Sequence, residues 1–169
     1  MQETTERYRQ RMFGLVDGKD PLKLQAAAPG RLAKLLKGVS PTKARRRPAP
    51  GKWSIAEIVA HIGDTELVVG YRIRAIAGAP GTQIIGFDQD VWVTALHYDK
   101  RELKKAFEQY RALREANVAL LKSLTPDQWN SYGNHSERGQ ESIETIVRMT
   151  AGHDVNHFQQ IERILAANS

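Results

Sequence analysis

A seam of apolar side chains near the C-terminus is interrupted at its centre by histidine. Ile143, Ile146, Thr150, His153, His157, Ile161 and Ile164 recur at helical spacing, and at about 100° per residue they fall within one arc of a single helix. His153 and His157 are four positions apart, so they sit one turn apart on the same face, inside the core stripe. One buried imidazole is satisfied by a single hydrogen-bond partner, but two stacked in an apolar seam call for a shared one. A divalent cation is the simplest such partner.

The helical period persists through the rest of the chain, and no segment alternates with period two for long enough to predict a sheet. Gly14, Gly18, Pro21, Pro29, Gly30, Gly38 and Pro41 divide the first third into short helical pieces, such as residues 31–37. After the break Arg47-Pro48-Ala49-Pro50-Gly51-Lys52-Trp53, the sequence Ser54-Ile55-Ala56-Glu57 reads as a capping box. It opens a long helix with the stripe Ile55, Ile58, Val59, Ile62, Val69, Ile73 and Ile76, which ends near Gly78-Ala79-Pro80-Gly81. His61 borders that stripe. A short helical piece is predicted around residues 91–95, and a third long helix runs through Leu103, Phe107, Tyr110, Leu113, Leu121 and Leu124. Thr125-Pro126-Asp127-Gln128 opens a brief helix, and residues 132–139 read as a loop. Three long helices and a divided N-terminal one predict an all-α four-helix bundle with short extra helices in its connections, as one domain over residues 1–169.

A chain of 169 residues buries a core without disulfides or a structural metal, so a bound metal is expected to serve function. Cysteine is absent, which agrees with a reducing cytoplasm and excludes a protein thiol as nucleophile, redox centre or ligand. No apolar run approaches the roughly 18 residues of a membrane span, and the polar start Met1-Gln2-Glu3-Thr4-Thr5-Glu6-Arg7 is unlike an export signal; a soluble cytoplasmic protein is expected. The formal charge is +6, with basic residues concentrated at Lys43, Arg45, Arg46, Arg47 and Lys52. Arg45 to Arg47 are candidates to attract an anionic small molecule. Nucleic acid is not the expected partner, because aromatic interleaving and a recognised binding motif are missing.

The order of motifs resembles the DinB-like superfamily. The resemblance rests on Gly51-Lys52-Trp53-Ser54-Ile55-Ala56-Glu57-Ile58-Val59-Ala60-His61-Ile62-Gly63-Asp64-Thr65-Glu66 and, downstream, His153-Asp154-Val155-Asn156-His157-Phe158-Gln159-Gln160-Ile161. It implies a four-helix bundle, often a homodimer, that holds nickel, zinc or another divalent cation on three histidines. Relatives include bacillithiol S-transferases and mycothiol-dependent isomerases, in which the metal activates a low-molecular-weight thiol. Carried onto this chain, the ligands are His61, His153 and His157. Many relatives place a histidine directly before the last ligand, where this chain has Asn156.

Independently of that resemblance, three neutral imidazoles suit zinc, nickel, copper or iron and leave a coordination position open for water or substrate. Such a metal makes hydroxide or thiolate available near neutral pH and polarises an electrophile. With no cysteine in the chain, the expected reaction is transfer of a small electrophilic group to an external thiol. Metal-dependent hydrolysis is the chemical alternative, and a helical interaction protein with a structural or vestigial metal site is the non-catalytic one. Asp64, Asn117 and Gln160 are candidates to orient the ligand rings. No general acid or base stands out. His97 and His135 fall outside the seam and are expected at the surface. Trp53, Trp92 and Trp129 are expected as core or hinge packing, with Trp53 or Trp92 able to wall a substrate pocket.

Overall fold

The computed structural model describes residues 3–167. Its elements in order are α1 (Thr5–Gly14), α2 (Pro21–Leu36), α3 (Pro41–Arg45), α4 (Ile55–Gly78), β1 (Gln83–Ile84), α5 (Gln89–Ala95), a 3-10 turn (Tyr98–Lys100), α6 (Leu103–Ser123), α7 (Pro126–Asn130), β2 (Tyr132–His135), β3 (Gly139–Ser142) and α8 (Ile143–Ala166). Local chemistry sets most of the starts. Ser54 Oγ accepts from the Glu57 amide while the Glu57 carboxylate accepts from the Ser54 amide, closing the capping box that begins α4. Thr4, Asp20 and Ser142 cap α1, α2 and α8 with single side chains. A second capping box, between Thr125 and Gln128, starts α7 with Pro126 in its first turn.

Helix α2 packs against α6 and α8, and α4 packs against the same two, so these four helices close a ring with α4 opposite α2. The four-helix bundle is the architecture observed, mostly helical, with a small three-stranded sheet beside it. One end of its core gathers Ile58, Ile62, Tyr98, Tyr110 and Phe158; the other gathers Ile73, Ile76, Leu121, Ile143 and Ile146. Between these apolar halves runs a polar layer of His61, Glu66, Arg114, Asn117, His153, Asp154 and His157, all buried. Helix α1 lies across α8 at Gly152, where a Cβ would meet the Met12 carbonyl oxygen at 2.2 Å. Only glycine admits that approach.

Two expectations about local structure are corrected. Pro29 and Gly30 do not divide the N-terminal region, because both lie inside the continuous helix α2. Proline has no amide to bond back to residue 25, yet Ala28, Pro29 and Leu32 are buried, and the Gln25 side-chain amide donates to the Val147 carbonyl at 2.8 Å. Tertiary burial on α8 outweighs the local break. Residues 132–139 are not a plain loop either: β2 pairs antiparallel with β3, and β1 adds to β2 in parallel. Tyr-Gly-Asn-His and Gly-Gln-Glu-Ser carry little of the β-branched alternation that marks a strand, so the pairing rests on tertiary context. Among the described residues, no helix is long and apolar enough to cross a membrane.

Candidate metal centre

Helix α4 contributes His61, and α8 contributes His153 and His157 from successive turns. His61 Nε2 and His157 Nε2 each lie 3.0 Å from His153 Nε2, and a ligand atom of every ring falls within 4.8 Å of the others. His157 Nδ1 is 2.9 Å from Gln160 Oε1, an acceptor, so Nδ1 carries the proton and Nε2 presents its lone pair to the cluster. Burial first, and then the neighbouring imidazole of His157, hold His61 and His153 well below the ordinary imidazole range. Burial brings His157 to about 4. All three rings are therefore neutral near pH 7.

Neutral rings alone do not satisfy this geometry. A proton on His153 Nε2 is directed at one neighbour and leaves the other contact without a hydrogen bond. A lone pair there faces the lone pair of His157 across 3.0 Å. One cation at roughly 2.0–2.1 Å from each nitrogen removes the conflict, and an all-imidazole donor set suits zinc, nickel, copper or iron. The residues present fit a divalent metal.

The cluster lies where two chambers of one cleft meet. The larger, of about 680 Å³, is lined by Lys52, Trp53, His157, Gln160 and Arg163; the smaller, of about 480 Å³, is lined by His61, Thr65, Arg72, Met149 and His153. Glu3, Tyr8, Gln89 and Asp90 border both. The Trp53 ring packs 4.9 Å from His61 and stacks nearly parallel to His157 at 6.3 Å, so this tryptophan forms a wall of the site. Helix α1 supplies another wall. Arg11 donates to Glu3 through Nε and Nη2 and to Asn156 Oδ1 through Nη1 at 2.8 Å. Asn156 thus ties α1 to α8 beside the last candidate ligand.

Of the candidate orienting residues, Gln160 reaches a ligand ring. Asp64 accepts from Tyr98 Oη, Arg101 and Gln109 at 2.8, 3.0 and 2.9 Å and so fastens the 3-10 turn and α6 to α4. Asn117 donates to Glu66 Oε1 at 2.7 Å and accepts from Arg74 at 2.7 Å. Both lie on the right helices, but their side chains turn to partners that sequence spacing does not reveal. Arg45 and Arg46 are exposed and absent from the walls of both chambers. Arg47 pairs with the buried Glu57 carboxylate. The basic residues that do line the cleft are Arg11, Lys52, Arg72, Arg138 and Arg163.

His97 is exposed, as expected, with a left-handed backbone at φ 50°. His135 corrects the expectation of a surface histidine: pairing with Ile84 and Gly139 buries it to 4 % exposure. Trp92 packs on Phe87 and on the apolar core around Ile58, and Trp129 packs on the core around Ile73. Tyr8, Thr65 and Arg72 had no signal in the sequence. A tyrosine on an amphipathic helix and polar residues in a long helix look alike whether they face a cleft or solvent.

Comparison with known proteins agrees with this arrangement. Two curated relatives from Oceanobacillus iheyensis each bear the name putative metal-dependent hydrolase. One is 24 % identical over 140 residues, covering 82 % of this chain and 80 % of its own length. The other is 22 % identical over 111 residues, covering 66 % and 64 %. The fold is similar to that of YfiT from Bacillus subtilis, described as a probable metal-dependent hydrolase with an unusual four-helix bundle topology, with a TM-score of 0.77 and 14 % identity over 98 % of this chain and 91 % of YfiT. The family model of the DinB superfamily matches residues 25–161, a span that contains all three histidines, and the chain belongs to that superfamily.

Proposed function

We propose that this protein is a divalent-metal-dependent enzyme that transfers a small electrophilic group to an external low-molecular-weight thiol, with zinc or nickel held by His61, His153 and His157. The observation that carries this reading is the convergence of three buried imidazole nitrogens at the junction of two chambers. When bound, the metal supplies Lewis acidity that lowers the pKa of a thiol at the position the histidines leave open. Gln160 holds the His157 tautomer so that Nε2 faces the centre. Trp53 covers the His61 and His157 rings on one side and holds their orientation by packing. Two chambers allow nucleophile and electrophile to approach the centre from different sides, and the absence of cysteine requires the thiol to come from outside.

Hydrolysis is the second reading, favoured by the names of the curated relatives. It needs one organic substrate and water in place of a thiol. A homodimer, expected from the family resemblance, is tested by sedimentation.

The decisive experiment uses untagged protein, its metal content measured by elemental analysis, with monochlorobimane and dithiothreitol as electrophile and thiol and 4-nitrophenyl acetate without thiol as the hydrolytic probe. Conjugation that scales with metal content is the expected result. Metal-dependent ester cleavage with no thiol-dependent conjugation favours the hydrolase, and protein that binds no divalent metal overturns both.

A further inference from the structure

Helix α4 carries a ladder of residues away from the candidate metal centre. His61, Thr65, Val69 and Arg72 all line the 480 Å³ chamber, at spacings that keep them on one helical face. Arg72 is 7 % exposed. Its Nη2 donates to the Ile85 carbonyl at 2.7 Å, and among the described residues no carboxylate forms an ion pair with it. Glu141, the buried acid of the same chamber, is already held by both arms of Arg138 at 2.6 and 2.8 Å. Buried arginines are ordinarily paired, because an uncompensated charge away from water is costly. Burial, and next the proximity of Arg138, already bring the Arg72 guanidinium down to about 10, against the opposing fields of Glu141 and Glu137, neither of which makes a direct contact with it. A ligand anion supplies the direct contact that these two carboxylates do not.

Two further observations describe the rest of that ligand. Thr65 Oγ1 is buried without a hydrogen-bond partner and lies one turn from His61, towards Arg72. Val69, Ile146 and Met149 line the same chamber and offer an apolar wall. Arg72 is roughly 16 Å from His61 along the helix axis, but helical side chains lean towards the N-terminus, so its fork reaches back to on the order of 10 Å from the histidines.

We infer that the smaller chamber is a carboxylate-recognition arm: it takes an elongated small molecule with its reacting group at the histidines, an apolar middle along Val69 and Met149, and a terminal carboxylate in the fork of Arg72. This rests on the metal-enzyme reading for the position of the reacting group, whereas the carboxylate subsite stands on Arg72 alone.

The test is a titration of isotopically labelled protein, followed by nuclear magnetic resonance, with n-hexanoate and with its neutral analogue n-hexanamide. It is run on metal-loaded and chelator-treated protein and on Arg72→Met and Arg72→Gln. Hexanoate is expected to bind about tenfold or more tightly than hexanamide, as a forked charge-assisted contact gives. That preference should survive metal removal and shrink to within about twofold in both variants, with metal content unchanged. Arg72→Met should melt at or above the parent temperature, because an apolar side chain replaces a buried cation that has no carboxylate. Variants that keep the hexanoate preference, a preference that disappears with the metal, a parent that does not prefer hexanoate, or a fall of several degrees in the Arg72→Met melting temperature would each overturn the subsite. A protein that holds no metal but shows an Arg72-dependent preference would retain the subsite and remove the metal-enzyme reading.

Discussion

His153 and Asp154 are neighbours in the chain, yet they belong to two buried polar clusters that differ in what they lack. Asp154 accepts from Arg114 Nη1 at 2.5 Å and Nη2 at 3.2 Å, Glu66 accepts from Arg114 Nη2 at 2.6 Å, and Asn117 completes the second oxygen of Glu66. One cation serves two carboxylates, so each acid has a direct partner within the protein, and among the described residues Arg114 Nε and the neighbouring Tyr110 hydroxyl are the buried atoms here without a hydrogen bond. The histidine cluster, about 100° around α8 from Asp154, brings three ring nitrogens within 4.8 Å of one another, and neutral rings cannot satisfy both of its 3.0 Å contacts. A cluster that closes on itself ties α4, α6 and α8 together. One that closes only around a cation is built to hold something that is not part of the chain.

The comparison is broken most forcefully at Arg114. Replacing it with methionine leaves Glu66 and Asp154 buried without their cation and should cost about 3–5 kcal/mol in denaturant unfolding, with metal bound per folded molecule unchanged. A loss below about 1 kcal/mol would mean that the network does not carry the bundle. His157→Ala should do the reverse. With one of three candidate ligands gone, metal affinity should fall by more than about 100-fold, beyond what loss of an outer partner costs. Chelator-treated parent and variant should unfold within about 1 kcal/mol of one another, since alanine favours the helix. Full metal occupancy in the variant would return these histidines to ordinary core side chains.

A finer test is Gln160→Leu, which frees the Nδ1 proton of His157 and should weaken metal binding by about 10–100-fold in competition with a chromophoric chelator. Unchanged affinity would show that packing alone orients the ring. The smallest effect belongs to His135, outside both clusters. Its Nδ1 accepts from the Glu137 amide, its Nε2 is buried without a partner, and burial, followed by Arg138, lowers its pKa. Below the ordinary imidazole value of roughly 6.5 the unfolded chain binds a proton that the folded chain resists. Stability should therefore be level above about pH 7 and decline as pH falls below that value. His135→Gln should reduce that decline in melting curves between about pH 7 and 5, and an unchanged slope would assign it to other groups.

Both histidine segments were legible because each lies in a strong local pattern. Ser54-Ile55-Ala56-Glu57 announces its helix by a cap completed within four residues, and the stripe of α8 aims His153 and His157 inward by rotation alone. Asp64 and Asn117 illustrate the limit of that logic. Their positions on α4 and α6 are readable, but Tyr98, Arg101 and Gln109 for one, and Glu66 and Arg74 for the other, come from separate turns of the fold. Gly152 carried no local sign that Met12 would lie against it, and with that contact came the wall formed by Tyr8 and Arg11.

The sequence by itself determined the helices, their inward faces and the three histidines that those faces bury, because caps and apolar periodicity act over a few residues. Tertiary structure decided that α2 runs through Pro29, that His135 is buried in a small sheet, that Asp64 and Asn117 serve packing, and that Arg72 faces the cleft without an acidic partner. Those outcomes depend on which surfaces meet across the bundle, and burial against a distant element outweighs the weak local preference at each of these positions.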